Sequence, residues 1–354
     1  MTVSFPRRPL WESWVSGWVV GGYYQQKHRE DYGGEPPPFE LKEDEATHLT
    51  ALYDWLVEPS MACLRRNCKE MSPTGDANLL TSLLGLLRCL LSEAIPGAHD
   101  EVPEEGSRQK QLECCFLFAL FWSTGCTSDA AGRAKYSLFV REVMEDINTI
   151  DEKYPGVATA LAVRKWAKPT YEDATAFQGS VECPPPDAGD LQDWCYDPRQ
   201  GKWLNWVDTL EKFTISEDAE FSTIMVPTGY TAQLSYMCQT LLTHGLRPLV
   251  CGPTGTGKSV SVVKCVTSEL DQSKYKPIQL GFSAKTSAHM TQDIIDGNLG
   301  KRRKGTFGAD SEHEMSFNLI WWRRWRLHET APPRRRRRDR QRVYASRARV
   351  AVVS

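Results

Sequence analysis

Eight consecutive residues in the second half of the chain have the types and spacing of a phosphate-binding loop. They match the pattern G-x-x-x-x-G-K-[ST] at Gly252, Pro253, Thr254, Gly255, Thr256, Gly257, Lys258 and Ser259. Glycines permit backbone conformations that turn successive N–H groups toward one point, where they can hold phosphate oxygens. Lys258 can reach the β- and γ-phosphates of a nucleotide, and the Ser259 hydroxyl can hold Mg²⁺. The pattern therefore predicts a nucleoside triphosphate site with Mg²⁺.

The residues around this loop have the alternating pattern of a nucleotide-binding domain. Residues 247–251 form a short apolar run before the loop, and residues 258–270 have the composition of a helix after it. A second strand is predicted at 276–284 and a second helix at 287–299. Strands and helices in this order are typical of the beginning of a parallel sheet covered by helices. This context makes a chance match of the loop pattern a poor explanation.

Hydrolysis requires more than the loop. A P-loop enzyme also needs an acidic residue at the end of a following apolar strand, which completes the Mg²⁺ shell and orients water. After Phe282 no run of four apolar residues ends in Asp or Glu, and the nearest run, at 317–325, passes into arginines. We therefore expect nucleotide binding without turnover. A sheet of two or three strands would also leave an exposed apolar edge, which predicts a marginally stable domain.

Composition and charge are those of a globular protein with an uneven charge distribution. The chain has 354 residues, of which 41% are apolar and 25% charged, enough for two domains with buried cores. Its net charge of −2 combines an acidic main part with a basic segment from Ile320 onward, where 12 Arg face Glu329 and Asp339. The 11 cysteines include no C-x-x-C pair, which favours reduced, mostly buried thiols in an intracellular protein.

Neither a membrane span nor a signal peptide is expected. The longest apolar run, residues 114–122, is far shorter than the ~20 residues that cross a bilayer, and it predicts a buried helix. Residues 1–44 lack a sustained period and are expected to form an irregular tail. In this tail Trp11, Trp14 and Trp18 are spaced as one helix face, which would pack on the neighbouring domain or bind a partner.

Residues 45–150 have the periodicity of amphipathic helices and show no chemistry. The apolar positions that recur on two helix faces are Leu49, Leu52, Leu56 and Leu64, followed by Leu79, Leu83, Leu86, Leu87 and Leu90. Residues 151–217 form a less regular connector rich in Pro, Gly, Asp and Trp, with a predicted turn at 196–201 between two short aromatic strands. The local acidic residues favour structural packing of the connector tryptophans over nucleic-acid binding.

Four stretches of the chain closely resemble axonemal dynein heavy chains. They are residues 51–87, beginning ALYDWLVEPSMACLRRN, residues 116–144, beginning FLFALFWSTGCTSDAAG, residues 221–259, which contain IMVPTGYTAQ and the phosphate loop, and residues 282–308, which contain TQDIIDGNLGKRRKGTFG. The lysine and arginine run after TQDIID is the most specific feature, because it is similar to axonemal rather than cytoplasmic dyneins. The resemblance spans residues 45–308 and implies a fragment of a very long motor protein.

The resemblance implies an α/β fold in which a helical AAA+ lid-type subdomain precedes an incomplete P-loop parallel-sheet domain, with irregular tails on both sides. The expected divisions are 1–44 for the N-terminal tail, 45–150 for the lid-type domain of the second AAA+ module, 151–217 for the connector, 218–309 for the truncated P-loop domain of the third AAA+ module, and 310–354 for an Arg-rich tail that does not match.

The resemblance also implies ATP binding within a ring-shaped motor that moves along microtubules and bends cilia or flagella. In that family the third module binds nucleotide and regulates the motor, whereas the first module is the main site of turnover. Gly252 to Ser259 would be the phosphate loop, and Val226, Pro227 and Thr228 would lie near the adenine. The implied partners are ATP, the remaining ring modules and the dynein complex subunits. Microtubules would be reached only indirectly, and the implied location is the cytoplasm and cytoskeleton, in the axoneme of a cilium or flagellum.

The segments outside 45–308 depart from the family and leave alternatives open. The stalk, the linker and the first module have no counterpart, so the chain is not expected to be a motor by itself. The arginine-rich run at 334–342 would suit an arm for nucleic acid or another anionic surface. A non-homologous segment, such as a read-through intron or a shifted frame, is favoured over that reading, and a solvated tail is a third alternative. A second hypothesis for the whole chain is a helical interaction protein with a vestigial loop and a basic, anion-binding tail.

Overall fold

The structure is a computed structural model with two compact units, a helical unit (Met1–Lys212) and a sheet unit (Phe213–Ser354). It describes residues 7–19, 39–71, 74–95, 105–145, 149–166, 181–198, 200–210, 213, 226–253, 255–282, 286–298, 300–303, 306–308, 314–321, 343–344 and 349–353. A helical subdomain followed by a parallel-sheet domain is the α/β fold that the sequence predicts.

The described part of the helical unit contains the helices α1 (Arg7–Ser16), α2 (Glu43–Asn67), α3 (Asp76–Ala94), α4 (Glu105–Ser123), α5 (Ala130–Glu145), α6 (Thr149–Lys153) and α7 (Pro155–Val163). The helical periodicity predicted from the leucines is confirmed, because all nine of them are buried in α2 and α3. The charges at the two ends of α2 also stabilise it. Three acidic residues lie in its first turn and Arg65 and Arg66 in its last, which complements the helix dipole.

Helix α4 lies at the centre of the helical unit. Its residues from Cys114 to Phe121 are completely shielded from solvent, which confirms the buried helix predicted at 114–122. Helix α3 packs along α4. Although α3 is apolar and long enough to cross a membrane, most of its residues are buried inside the protein. A helix that is apolar on most sides and buried within other helices is a core helix.

The structure differs from the expectation of an irregular tail at residues 1–44, since residues 7–16 form α1. The Trp11 ring is buried and stacks on Tyr53 of α2 with the ring centroids 4.6 Å apart. Its indole Nε1 donates to Thr50 Oγ1 over 3.2 Å, and Arg7 pairs with Glu58 at 3.0 Å. A helix this short is marginal alone, so tertiary packing stabilises it. Of the two alternatives for the tryptophans, packing on the neighbouring domain holds for Trp11.

Asp76, the first residue of α3, lies among three arginines. Its carboxylate accepts a hydrogen bond from Arg65 Nη2 at 2.8 Å and lies 3.4 Å from Arg7 Nη1 and 3.5 Å from Arg164 Nη2. Burial alone would raise the pKa of Asp76, but the hydrogen bond from Arg65 and the charges of the three arginines lower that pKa below its ordinary value. The carboxylate therefore joins α1, α2, α3 and the end of α7.

We expect the helical unit to lose stability in acid through Asp76. Because the folded-state pKa lies below the unfolded value of about 3.9, the contribution is complete above that pH and is lost as the pH falls through the folded pKa. Urea unfolding of the wild type and of Asp76→Asn should show a difference in the free energy of unfolding that is constant near neutral pH and narrows below about pH 4. A difference that does not change with pH would contradict this assignment.

The connector attaches to α4 through its tryptophans. Strands β1 (Trp194–Asp197) and β2 (Lys202–Asn205) pair antiparallel around the predicted turn. Trp203 and Trp206 are buried, and their indole Nε1 atoms donate to the backbone carbonyls of Cys183 and Gln192, both at 2.9 Å. The Trp206 ring also contacts the Phe118 ring of α4, with the centroids 6.4 Å apart. The packing role predicted for the connector tryptophans is confirmed for these two.

A buried contact between His48 and Glu113 joins α2, α4 and the connector. Glu113 is 1% exposed; its Oε1 lies 3.0 Å from His48 Nε2, and its Oε2 accepts the backbone N–H of Glu182 at 2.8 Å. His48 is also buried. A buried carboxylate without such partners costs on the order of several kcal/mol, so Glu113 is satisfied only while these three segments are together.

The described part of the sheet unit alternates strands and helices. Its elements are α8 (Gly229–Thr243), β3 (Leu249–Val250), α9 (Lys258–Lys264), a π-helical turn (Cys265–Glu269), β4 (Tyr275–Phe282), α10 (Ala288–Asn298), β5 (Gly300–Arg303), β6 (Thr306–Gly308), β7 (Glu314–Trp321), β8 (Val343–Tyr344) and β9 (Arg349–Val353). The main sheet is parallel with the strand order β3-β9-β7-β4, and a smaller sheet has the order β5-β6-β8.

The structure also differs from the expectation of an irregular tail at 310–354, because β7, β8 and β9 lie there. Two of these strands extend the main sheet to four strands, where two or three were expected. Residues 317–320 and 350–353 are rich in strand-forming residues. The arginines around them dominate the composition and conceal this local signal.

Candidate phosphate-binding site

The predicted phosphate loop begins directly after β3 and ends where α9 begins at Lys258. Gly255 and Gly257 have φ angles of +84° and +75°, in the left-handed region where a side chain is strained. These angles explain the glycines of the motif at both positions. Thr254, another predicted loop residue, lies outside the described residues.

Lys258 folds into the centre of this loop. Its Nζ donates to the backbone carbonyls of Gly252 at 2.9 Å and Pro253 at 2.5 Å, and it lies 3.3 Å from Thr256 Oγ1. The residue is 7% exposed, unusual for a lysine. An ammonium group held by carbonyl oxygens can exchange them for phosphate oxygens, whose charge gives stronger hydrogen bonds. Lys258 Nζ is therefore the charged donor inside this loop.

The segment predicted to lie near the adenine leads directly into α8. Thr228 is the N-cap of this helix, and its Oγ1 accepts the backbone N–H of Thr231 at 3.2 Å. Val226 is more than half exposed. Helix α8 and the segment after the loop share one core, formed by Cys238, Leu242, Val262, Cys265, Val266, Leu270 and Tyr275. Both predicted parts of the site thus belong to the same packed unit, in which Thr228 caps α8.

Glu269 links α8 to the helix that follows the phosphate loop. This residue ends the π-helical turn and accepts hydrogen bonds from Ser235 Oγ and, at 3.2 Å, from Gln239 Nε2. Lys264 of α9 pairs with it at 3.5 Å. Sequence reasoning did not single out these side chains, because they are up to 34 positions apart and match no motif. These contacts join α8 to the end of α9, beside the site.

The described residues supply some, but not all, of the oxygen ligands that Mg²⁺ usually has in proteins. Ser259, the residue predicted to hold the ion, is half-buried in the first turn of α9. Protein carboxylates usually join phosphate oxygens around Mg²⁺, and in a parallel sheet they would come from the carboxyl end of a strand. Strand β7 ends in Leu319, Ile320 and Trp321. Among the described residues no group of three or more His, Cys, Asp or Glu is placed to hold a metal.

Two protein-family models match consecutive parts of the chain. The dynein heavy chain AAA lid domain matches residues 49–208. The P-loop containing dynein motor region matches residues 213–319. The first match covers the helices from α2 onward together with the connector, and the second covers the phosphate loop and extends through most of β7. The family match thus continues past residue 308, where the resemblance in the sequence was expected to end.

Curated proteins similar to the chain are axonemal dynein heavy chains. Human dynein axonemal heavy chain 1 is 35% identical over 279 residues, which cover 76% of this chain. Rat dynein axonemal heavy chain 12 is 30% identical over 268 residues, and mouse dynein axonemal heavy chain 3 is 33% identical over 266, each covering 73% of this chain. The matched region is 6% of the length of the first and third of these relatives and 8% of the second.

Proposed function

Because the chain belongs to the dynein heavy chain family, we propose that its sheet unit binds ATP at Gly252–Ser259 and that this site is the nucleotide site of a regulatory AAA+ module. The observation that carries the proposal is the buried Lys258 ammonium, which lies among the carbonyl groups of a loop with left-handed glycines. Val226 to Thr228, just before α8, would contact the adenine. The support for the adenine contact is the resemblance of residues 226–228 to the corresponding dynein segment.

We propose further that the chain binds nucleotide without turning it over. Ser259 would hold Mg²⁺ together with phosphate oxygens, since the hydroxyl follows the lysine in the motif. Turnover needs an acidic residue at the end of a neighbouring strand to orient the attacking water. Strand β9, the neighbour of β3, ends at Val353, and the next strand, β7, ends at Trp321, so neither strand ends in Asp or Glu. Binding at micromolar affinity would correspond to about 8 kcal/mol, which does not require that residue.

For the protein as a whole, we propose a role in microtubule-based movement of cilia or flagella. The support is the similarity to relatives described as axonemal dynein heavy chains. The location would be the ciliary or flagellar axoneme, as part of the cytoskeleton. The partners would be further AAA+ modules of a ring and the other subunits of a dynein complex, with microtubules contacted only indirectly.

Titration of the purified full chain with ATP, with and without Mg²⁺, tests the binding proposal. We expect saturable binding that Mg²⁺ strengthens, and phosphate release no faster than that of a chain with Lys258→Ala. A well-folded protein that does not bind ATP would contradict the site. Steady phosphate release that depends on Lys258 would contradict binding without turnover.

A further inference from the structure

The strand before the phosphate loop is short and partly exposed. Strand β3 consists of Leu249 and Val250, and Leu249 is 62% exposed. So short a strand buries little apolar surface. Its position in the sheet therefore depends mainly on backbone hydrogen bonds to a neighbouring strand. Only Cys251 separates β3 from the phosphate loop at Gly252, so the position of β3 determines where the loop begins.

Within the described residues, the strand paired with β3 is β9. Leu249 pairs with Val352 and Val250 with Val353. On its other side β9 pairs with β7 over five positions, from Ser316 opposite Arg349 to Ile320 opposite Val353. Strand β9 thus connects β3 to the rest of the main sheet, which continues through β7 to β4.

Strand β9 also contacts the helices that flank the site. It packs against both α8, which follows Thr228, and α9, which begins at Lys258. Strand β9 thus contacts the strand before the phosphate loop, the helix after it and α8. The family match ends at residue 319, before this strand begins.

We propose that residues 349–353 are the positioning strand of the phosphate loop. By pairing with β3 on one side and with β7 on the other, β9 holds the loop and the start of α9 in the form that binds phosphate. This role rests on the proposed ATP site.

Removal of residues 345–354 tests the proposal. The shortened chain should bind ATP about tenfold more weakly or worse, because a smaller fraction of molecules holds the loop in its binding form. A synthetic peptide of residues 345–354 should restore the affinity by adding a strand to the sheet. The same peptide with Ala351→Pro should not, because proline lacks the N–H that a central strand requires. Unchanged affinity after the removal, or no rescue by the first peptide, would overturn the proposal.

A matched control distinguishes the effect of strand β9 on ATP affinity from the effect of the positive charges that precede it in the sequence. Replacement of Arg334–Arg338 by serine removes five positive charges and leaves β9 intact, and the ATP affinity should stay within about twofold of the wild type. A loss as large as that of the shortened chain would show that charge, and not strand pairing, is responsible, and would overturn the proposal.

Hydrogen exchange distinguishes failure of this inference from failure of the ATP site. In the full chain, Ala351→Pro should speed exchange of the β3 amides, whereas Ala345→Pro, outside β9, should not. This result does not depend on nucleotide. A wild type that does not bind ATP would therefore refute the proposed function, and unchanged exchange at β3 in the Ala351→Pro chain would refute the positioning strand.

Discussion

Replacement of Lys258 by alanine is expected to weaken ATP binding by roughly 10- to 150-fold, the effect of losing hydrogen bonds from a charged donor worth about 1.5–3 kcal/mol. The physical reason is the position of the Nζ atom, which already lies at the centre of the loop between the carbonyls of Gly252 and Pro253. Titration with ATP by calorimetry, at matched ionic strength, measures the change.

A second lysine provides the control for this variant. Lys274 carries the same charge but is largely exposed, with a surface ion pair to Asp271 at 3.7 Å. Lys274→Ala removes the same charge from the unit without touching the loop, and its ATP affinity should equal that of the wild type. Equal losses in the two variants would mean that Lys258 acts only through net charge and would contradict its place in the site.

Replacement of His48 by leucine is expected to lower the free energy of unfolding of the helical unit by about 3–5 kcal/mol, because it leaves the buried Glu113 side chain without its side-chain partner. In a unit of about 200 residues this loss corresponds to a fall in Tm of roughly 6–20 °C. Scanning calorimetry of the wild type and the variant measures this change in Tm.

The chain offers a matched pair for comparison. His289 and Asp293 are also joined, at 2.7 Å, but both side chains are mostly exposed. Surface pairs contribute about 0–1 kcal/mol, so His289→Leu should change stability very little. The double variant His48→Leu with Glu113→Leu should recover part of the loss, since neither side chain of the pair is then left buried without its partner. If His48→Leu lowers the free energy of unfolding no more than His289→Leu does, burial of the pair does not explain its contribution to stability.

Local signals made much of the fold predictable. The leucine spacing of α2 and α3, the wholly apolar run in α4 and the glycines of the phosphate loop each specify one structure over a few residues. The turn between β1 and β2 follows from residues that favour turns between two aromatic runs. In each case the residues that carry the signal are neighbours in the sequence, so no knowledge of the tertiary fold was required.

The features that were not predicted depend on residues far apart in the sequence. His48 and Glu113 are 65 positions apart, and neither belongs to a pattern that indicates a buried pair. Helix α1 is stabilised by contacts with α2 that begin more than 30 residues later. Strand β9 pairs with a strand about 100 residues earlier in the chain. Such pairings depend on packing more than on local propensity.

The indole groups of Trp203 and Trp206 give the connector a built-in optical signal. Each donates its N–H to a connector carbonyl, and the Trp206 ring lies against α4. Detachment of the connector would expose both rings to water and shift their emission to longer wavelength. A variant that keeps only these two of the 12 tryptophans would therefore report on the connector by its fluorescence.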